Sequence, residues 1–180
     1  QLSATLGGAV KAVTADSTGT LTLTYNKCPK LAHGATADTM GNLLPTVNLG
    51  TGRTATAIAA GGYDTCAILD AGATGSKVKC WGSNSDGQLG YQGSTATSSA
   101  KFETTPHASS YVDLGAGRSA TALAAGRHHT CALLDDASIK CWGKNEHGQL
   151  GIPLTTSASR GLVASGMGSG LPAVPLGTGK

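Results

Sequence analysis

The sequence predicts an all-β protein built from short repeated units, and three observations carry that prediction. A ten-residue stretch beginning at Trp81 recurs at Trp142 with seven identical positions, among them three glycines and one asparagine. Both residue types enter the left-handed backbone region at low cost, so the stretch is typical of a turn. The residues upstream of each Trp are also repeated, as short apolar runs bounded by Gly and Thr. Composition agrees, because 27 of the 180 residues are Gly and only 13% are charged.

The copied unit begins well before each Trp, and its starts define the organisation of the chain. Matching segments begin at Val47, Val112 and Val174, which gives periods of 65 and 62 residues. Four segments result: residues 1–46 as the degenerate tail of a preceding repeat, 47–111 and 112–173 as two full repeats, and 174–180 as the start of a further repeat.

Short strands are predicted in all three of the longer segments. Thr20–Tyr25 alternates Thr with Leu or Tyr, as a half-buried strand does. Each full repeat contains three short runs: Ala55–Ala60, Thr65–Leu69 and Lys77–Trp81 in the first, and Ala120–Ala125, Thr130–Leu134 and Ile139–Trp142 in the second. Alanine is the best helix former, but these Ala-rich runs are brief and flanked by Gly and Thr. We therefore predict strands packed closely between neighbours.

A long polar segment follows the Gln-Leu-Gly that ends each ten-residue stretch, at Tyr91–Tyr111 and Ile152–Ala173. Connections of this length are uncommon unless they are functional or disordered. Tyr91, Phe102 and Tyr111 are the candidate partner-binding residues, because aromatic side chains often anchor protein interfaces. The alternative is a surface loop without a partner, either floppy or carrying O-glycans.

Four of the five cysteines occupy matched places in the two repeats, at separations of 14 and 10 residues. The extra residues of the first pair fall in the hairpin turn, so Cys66 stands opposite Cys80, as Cys131 does opposite Cys141. Opposed residues of antiparallel strands have Cα atoms about 4.5–5.5 Å apart, which suits a disulfide. We therefore predict two disulfides, which are typical of an oxidising compartment. Cys28 is left unpaired or joined to a cysteine elsewhere.

Other chemistry has little support in the sequence. A zinc site from the four paired thiols would need both hairpins to converge, and it lacks the short Cys-x-x-Cys spacing. His128 and His129 are adjacent, so on a strand they would point to opposite faces. The Gly-rich segments before Arg53 and Arg118 open no helix and lack Gly-Lys-Ser/Thr, which indicates turns. We expect no enzyme activity, no catalytic residue, no cofactor and no metal.

Charge and hydropathy limit the classes of partner. The net charge is only +3 and the 13 basic residues are scattered, so no nucleic-acid partner is expected. No apolar run approaches the ~20 residues that span a membrane. The chain starts at Gln1 without a Met, from which we expect that a signal peptide has been removed. The predicted location is secreted or at the cell surface.

The combined motifs resemble the RCC1-like repeat family, whose members form β-propellers. The resemblance rests on Trp-Gly-x-Asn-x-x-Gly-Gln-Leu-Gly at Trp81 and Trp142, and on the Ala-Ala-Gly that ends at Gly61 and at Gly126. It implies propeller blades, and family propellers close with about seven of them. With under three repeats, this chain would be an incomplete propeller or a fragment of a larger one. The paired cysteines are similar to those of the family's secreted branch, and Asp64 replaces a His of the family pattern.

Three functions follow from these expectations. The first is a non-catalytic extracellular structural or interaction module, including a subunit of a surface or filamentous assembly in which copies join head to tail by strand complementation. The alternative is a secreted propeller that binds or inhibits a specific partner protein. The third, guanine-nucleotide exchange, is implied by the family's founding activity, and it needs a reducing compartment and a full propeller. The cysteines argue against it.

Overall fold

The computed structural model describes residues 47–70, 72, 75–90, 111–152 and 159–177, together with the backbone of three strands nearer the amino terminus. The strands are β1 (Ser3–Thr5), β2 (Val10–Ala15), β3 (Leu21–Tyr25), β4 (Ala55–Ala60), β5 (Asp64–Leu69), β6 (Lys77–Gly82), β7 (Ala120–Ala125), β8 (His129–Leu134) and β9 (Ile139–Gly143). Two single 3₁₀ turns follow at Ala164–Gly166 and Gly168–Gly170, and this part of the chain contains no α-helix. The all-β prediction is confirmed; the seven predicted strands end within one residue of those expected, whereas β1 and β2 were not predicted.

The two repeats fold into two equivalent antiparallel sheets, which we call blade 1 (β4–β6) and blade 2 (β7–β9). Blade 1 carries β1 as a fourth, parallel strand on the β4 edge, while β2 and β3 form a separate two-stranded sheet. The register within the blades is the same, including a β-bulge near the start of β4 and of β7. A common register means that a residue in one blade has a structural counterpart in the other.

The two predicted cysteine pairs are joined by disulfides in the structure. Cys66 faces Cys80 and Cys131 faces Cys141, each pair with Cα atoms 4.0 Å apart. All four thiols are therefore consumed in covalent bonds and cannot serve as zinc thiolates. Cys28 lies outside the described residues.

The start of each sequence repeat belongs to the preceding blade. The Val112 amide donates to the Val78 carbonyl of β6 at 2.9 Å, and the Val174 amide donates to the Ile139 carbonyl of β9 at 2.8 Å. Both segments therefore run along the outer edge of the blade before them. This offset connects consecutive repeats, because the start of one repeat hydrogen-bonds to the outer strand of the blade before it.

The repeated turn after each Trp is held by its asparagine. Asn84 Oδ1 accepts the Leu89 amide at 3.0 Å, and Asn145 Oδ1 accepts the Leu150 amide at 3.1 Å. Both asparagines and both leucines are buried. The side chain thus satisfies an amide that water cannot reach, which explains why Asn recurs between the Trp and Leu anchors.

Replacing Asn145 by Ala is expected to destabilise the fold by about 1–3 kcal/mol, because the buried Leu150 amide loses its acceptor. Asn48→Ala is the matched control, since Asn48 Oδ1 accepts the Gly50 amide in an exposed turn where water replaces it. That variant should change stability by about 0.5 kcal/mol or less. Urea unfolding measures both, and equal losses would contradict the role assigned to Asn145.

Candidate interaction surface

The largest apolar core lies between the two blades, so the blades share one interface. The strands of blade 1 contribute five buried residues that we call its trailing face: Ala59, Cys66, Ile68, Val78 and Cys80. Blade 2 contributes five residues that we call its leading face: Ala120, Leu123, Ala132, Leu134 and Trp142. All ten are buried, so water is excluded from the junction.

Two polar side chains of blade 2, Trp142 and Thr130, form hydrogen bonds with blade 1 across this core. The Trp142 indole Nε1 donates to the Gln88 carbonyl at 2.9 Å. The Thr130 hydroxyl lies 3.3 Å from the same carbonyl and 3.3 Å from Asp64 Oδ2, so its single proton can go to either acceptor. Thr130 and Trp142 are cross-strand partners in β8 and β9. The leading face therefore carries a hydroxyl and an indole donor in fixed register.

A glycine permits the close approach of the indole. Gly90 has φ +69°, and a Cβ placed on it would lie 2.7 Å from Trp142 Nε1. Any other residue would strain the backbone and push the Trp out of the junction. The Gly of Gln-Leu-Gly is thus part of the blade interface.

Asp64 is a buried carboxylate at the same junction, with only 3% of its surface exposed. Its Oδ2 faces Thr130, while its Oδ1 has no hydrogen-bond partner among the described residues. Burial raises the pKa of Asp64 from 3.8 to about 7, and the hydrogen bond from Thr130 opposes that rise only in part. A Cβ on Gly61 would collide with this carboxylate and with the Gly126 carbonyl. The sequence marked Asp64 as a departure from a repeated His but did not predict its burial.

The equivalent side of blade 2 is partly open to solvent, since Cys131 and Ile139 pack against a buried cluster of Cys141, Leu150 and Ile152. We call it the trailing face of blade 2, and its residues are the counterparts of blade 1's trailing face: Ala124, Cys131, Leu133, Ile139 and Cys141. Leu133 is 39% exposed, whereas its counterpart Ile68 is 3% exposed. Ala124 is exposed where Ala59 is fully buried, and Cys131 is half-buried where Cys66 is buried. Blade 2 therefore exposes part of an apolar surface, at Ala124 and Leu133, whose counterpart on blade 1 is buried.

Further features of the blade interface recur beside this open face. Leu176, the counterpart of the buried Leu114, is 51% exposed. His129 takes the place of Asp64 and Gln149 takes the place of Gln88. Burial, aided by the charge of neighbouring His128, lowers the pKa of His129 from 6.5, so its imidazole is mainly neutral at pH 7 and retains an acceptor nitrogen.

A separate polar cluster lies at the turn side of the blades and joins residues that the sequence did not connect. His128 Nδ1 lies 3.3 Å from Asp86 Oδ2, and its ring centroid is 5.4 Å from that of Tyr63. The Ser85 hydroxyl donates to Asp86 Oδ2 at 3.0 Å. The carboxylate lies between hydroxyl and imidazole, which differs from a catalytic arrangement in which the imidazole contacts the hydroxyl. Tyr63 is 47% exposed, so this cluster offers an aromatic contact.

Of the three aromatic residues predicted to bind a partner, the structure describes one. Tyr111 is partly buried against the apolar cluster of blade 1, and Lys79 Nζ lies 5.3 Å from its ring centroid. Tyr91 and Phe102 lie outside the described residues. Tyr63 is an exposed aromatic residue that was not among those predicted to bind a partner. Its position in the tight turn between β4 and β5 is the feature of the sequence that could have indicated its exposure.

The described residues contain neither a metal-binding cluster nor a membrane-spanning helix. No group of three or more His, Cys, Asp or Glu side chains there is placed to hold a metal ion. No helix in that part of the chain has the length and apolarity to cross a bilayer.

The repeats of this chain match models of a known protein family. Two family models, each described as the Regulator of chromosome condensation (RCC1) repeat, match this chain. One matches residues 55–88 and 120–149, and the other matches 77–133, so that together they span just over half of the chain. The chain belongs to the RCC1-like repeat family. Blades 1 and 2 are thus blades of an RCC1-like propeller, of which this chain supplies an incomplete part.

Individual relatives of this RCC1-like chain are much longer than it is. Protein pim1 of Schizosaccharomyces pombe is 34% identical over 96 residues, which cover 53% of this chain and 16% of pim1. Prp20p from Saccharomyces cerevisiae has a similar structure, with a TM-score of 0.51 and 20% identity over 68% of this chain and 27% of Prp20p. Human WBSCR16 gives a TM-score of 0.49 and 21% identity over 64% of this chain and 28% of that structure. The chain therefore spans about a sixth to about a quarter of the proteins it matches.

Proposed function

We propose that this chain is a non-catalytic protein-interaction module and that the trailing face of blade 2 is its docking surface. RCC1-like repeat proteins generally mediate protein interactions, which supports the class of function. The observation that carries the proposal is the contrast between Leu133, which is exposed, and its buried counterpart Ile68. Exposed apolar side chains that lie together on one face of a sheet are typical of interaction sites.

Blade 1 indicates the chemistry of the partner. Its trailing face is filled by a sheet that brings apolar side chains together with the Thr130 hydroxyl and the Trp142 indole. The same kinds of acceptor recur on blade 2 as the Gln149 carbonyl and the neutral imidazole of His129. The partner in this proposal is therefore a β-sheet with one apolar side that bears donor groups, and the interaction needs no chemical reaction.

The proposed setting is extracellular or at the cell surface, with a structural or adhesive role. The two disulfides support it, because such bonds persist in oxidising compartments and are rare in the cytosol. Guanine-nucleotide exchange is less well supported for the same reason.

A second candidate function is the recognition of a specific partner protein through the turn-side cluster. The observation in its favour is the exposed Tyr63 beside His128 and Asp86, since a half-exposed aromatic ring with polar neighbours is a frequent interface anchor. This site lies at the strand ends and is distinct from the trailing face of blade 2.

Photo-crosslinking from defined positions tests the docking surface. The full, oxidised chain carries benzoylphenylalanine at position 133 and is illuminated in the organism that makes it. Position 162 is the matched control, because Leu162 is 40% exposed and lies outside the trailing face. A third variant carries the probe at position 63. Mass spectrometry of the adducts identifies the partner in each case.

We expect a protein adduct from position 133 and none from position 162. An adduct from position 63 with a different protein would support the second candidate function. The docking proposal is overturned if position 133 yields no adduct, or if positions 133 and 162 yield adducts equally.

A further inference from the structure

We infer that Asp64, Thr130 and the Gln88 carbonyl form a proton-controlled joint between the blades, in which uptake of one proton adds a hydrogen bond across the junction. The three groups come from separate elements: Asp64 from β5, Gln88 from the repeated turn of blade 1, and Thr130 from β8. All three residues are buried, so bulk water does not compete for their hydrogen bonds. Such a joint controls how firmly the two blades are held together, whichever surface binds a partner.

The junction has one proton too few for its acceptors. The Thr130 hydroxyl carries a single proton, and its oxygen lies 3.3 Å from Asp64 Oδ2 and 3.3 Å from the Gln88 carbonyl. With Asp64 ionised, this proton goes to the carboxylate, because a charged acceptor forms the stronger hydrogen bond. The Gln88 carbonyl then keeps the Trp142 indole as its donor from blade 2 and loses the hydroxyl.

A proton on Asp64 removes this competition. The neutral carboxyl donates its O–H to the Thr130 oxygen, which has lone pairs with which to accept it. Thr130 in turn donates to the Gln88 carbonyl, so a continuous chain of hydrogen bonds runs from blade 1 to blade 2 and back to blade 1. The neutral state therefore has one more hydrogen bond across the junction than the ionised state.

The surroundings of Asp64 favour the neutral state. An ionised carboxylate has about four acceptor sites. Within the described residues, however, Oδ2 has the Thr130 hydroxyl and Oδ1 has no partner. Burying a charge with so few hydrogen bonds is costly, so the carboxyl keeps its proton to a higher pH than an exposed one. Burial accordingly raises the pKa of Asp64 from 3.8 to about 7, and the Thr130 hydrogen bond opposes that rise in part.

Other charged or titratable groups lie on the elements that pack against Asp64. Among the described residues these are Asp86, Arg127, His128 and His129. His128 Nδ1 lies 3.3 Å from Asp86 Oδ2, and Arg127 stays charged at every pH considered. The pKa of His129 is lowered from 6.5, so His129 titrates below Asp64. Comparison of the wild type with Asp64→Asn isolates the carboxyl, because these neighbours are the same in both.

The coupling between Asp64 and the Trp142 indole tests the joint in the full, oxidised chain. Thr130 and Trp142 share the Gln88 carbonyl once Asp64 is neutral, so the indole N–H signal should shift as the carboxyl titrates. NMR follows the isotope-labelled indoles and the carboxyl carbon of Asp64 from about pH 5 to about pH 9. We expect the Trp142 signal to move with the same midpoint as the carboxyl, and the signal of Trp81, which lies in the other core cluster of blade 1, to stay in place.

Three substitutions separate the chain of hydrogen bonds from the electric field of the carboxylate. Thr130→Val keeps the shape and removes the hydroxyl, so Asp64 should still titrate while the Trp142 signal loses most of its shift. Thr130→Ser keeps a hydroxyl and should restore the shift. Thr65→Val is the matched control, because Thr65 is the buried counterpart of Thr130 and pairs with Trp81 across β5 and β6. It should leave the Trp142 shift unchanged.

Hydrogen exchange measures whether the proton tightens the junction. The Gly62 amide donates to the Gly126 carbonyl of blade 2, so its exchange reports opening between the blades. The measured rates are corrected for the intrinsic pH dependence of exchange. Relative to Asp64→Asn, opening of the wild type should become about tenfold rarer between pH 8 and pH 6, because the closed junction takes up a proton that the opened one does not.

Each outcome supports or overturns the joint. A Trp142 signal that does not follow the Asp64 titration overturns it, and so does a full shift in Thr130→Val. Equal losses of the shift in Thr130→Val and Thr65→Val would contradict the chain of hydrogen bonds. The same pH dependence of opening in the wild type and in Asp64→Asn would overturn the control by the proton. None of these results bears on the crosslinks from position 133, so the docking proposal is tested separately.

Discussion

Lowering the pH from about 8 to about 4 is expected to stabilise the two-blade unit, by on the order of 4 kcal/mol from Asp64 alone. Burial raises the pKa of this carboxyl from 3.8 to about 7 in the folded protein. Above pH 7 both the folded and the unfolded chain carry the charge, and the folded chain bears the full cost of burying it. As the pH falls from about 7 to about 4, the folded protein takes up a proton that the unfolded chain does not. Stability therefore rises through that window and levels off below the unfolded pKa.

Two other groups, His129 and Asp136, also have shifted pKa values, and they change the free energy of unfolding with pH in a different way from Asp64. The pKa of His129 is lowered by burial, so it favours the folded state at higher pH and opposes Asp64. The pKa of Asp136 is lowered chiefly by hydrogen bonds from Ser138, so its contribution is lost only below about pH 4. The effect of Asp64 is therefore read as the difference between the wild type and Asp64→Asn, which keeps the shape without the charge.

Urea unfolding across this pH range measures that difference. Asp64→Asn should be more stable than the wild type at pH 8, and the two should converge toward pH 4. Asp113→Asn is the control, because Asp113 is exposed and the side-chain oxygen of Asn can accept the Gly115 amide as Asp113 Oδ1 does. A difference that stays constant with pH, or that grows in acid, would contradict the buried charge at the blade junction.

Replacing both Cys66 and Cys80 by Ala is expected to cost at least about 3 kcal/mol, since the disulfide closes a loop whose entropy returns to the unfolded chain. Both cysteines lie in the blade interface and are fully buried, so the double variant also loses packing there. The loss should exceed that from replacing Cys131 and Cys141, because Cys131 is only half-buried on the trailing face of blade 2 and has less packing to lose.

Chemical reduction of the wild-type chain provides an independent readout of the same asymmetry. The Cys131–Cys141 bond should be reduced first, and alkylation followed by peptide mapping reports the order. Equal losses of stability for the two double variants would contradict the assignment, as would earlier reduction of Cys66–Cys80. Either result would mean that the blade interface does not shield its disulfide.

The strands and disulfides could be predicted from the sequence because they depend on local pattern. Alternating runs such as Thr65–Leu69 are short-range signals, and the hairpin register follows once a turn is placed between two strands. The repeat supplied an internal check, because Cys131 and Cys141 obey the same register as Cys66 and Cys80 despite a shorter turn. The family assignment rests on the same local motifs.

The interface could not be predicted because it depends on residues far apart in the chain. Pairing of Val112 with Val78 places the start of one repeat on the blade of another, and nothing local in the sequence encodes that offset. The burial of Asp64 depends on Thr130, which is 66 residues away. The exposure of Leu133 likewise follows from which neighbour covers it. Tyr91, Phe102 and Cys28 stay predictions, since the structure does not describe them.

We propose that this RCC1-like chain binds protein at the trailing face of blade 2. The measurement that tests it most directly is the yield of adduct from benzoylphenylalanine at position 133 relative to position 162 in the full, oxidised chain. We expect a protein adduct from position 133 and none from position 162. Absence of an adduct from position 133, or equal yields from the two positions, would contradict it.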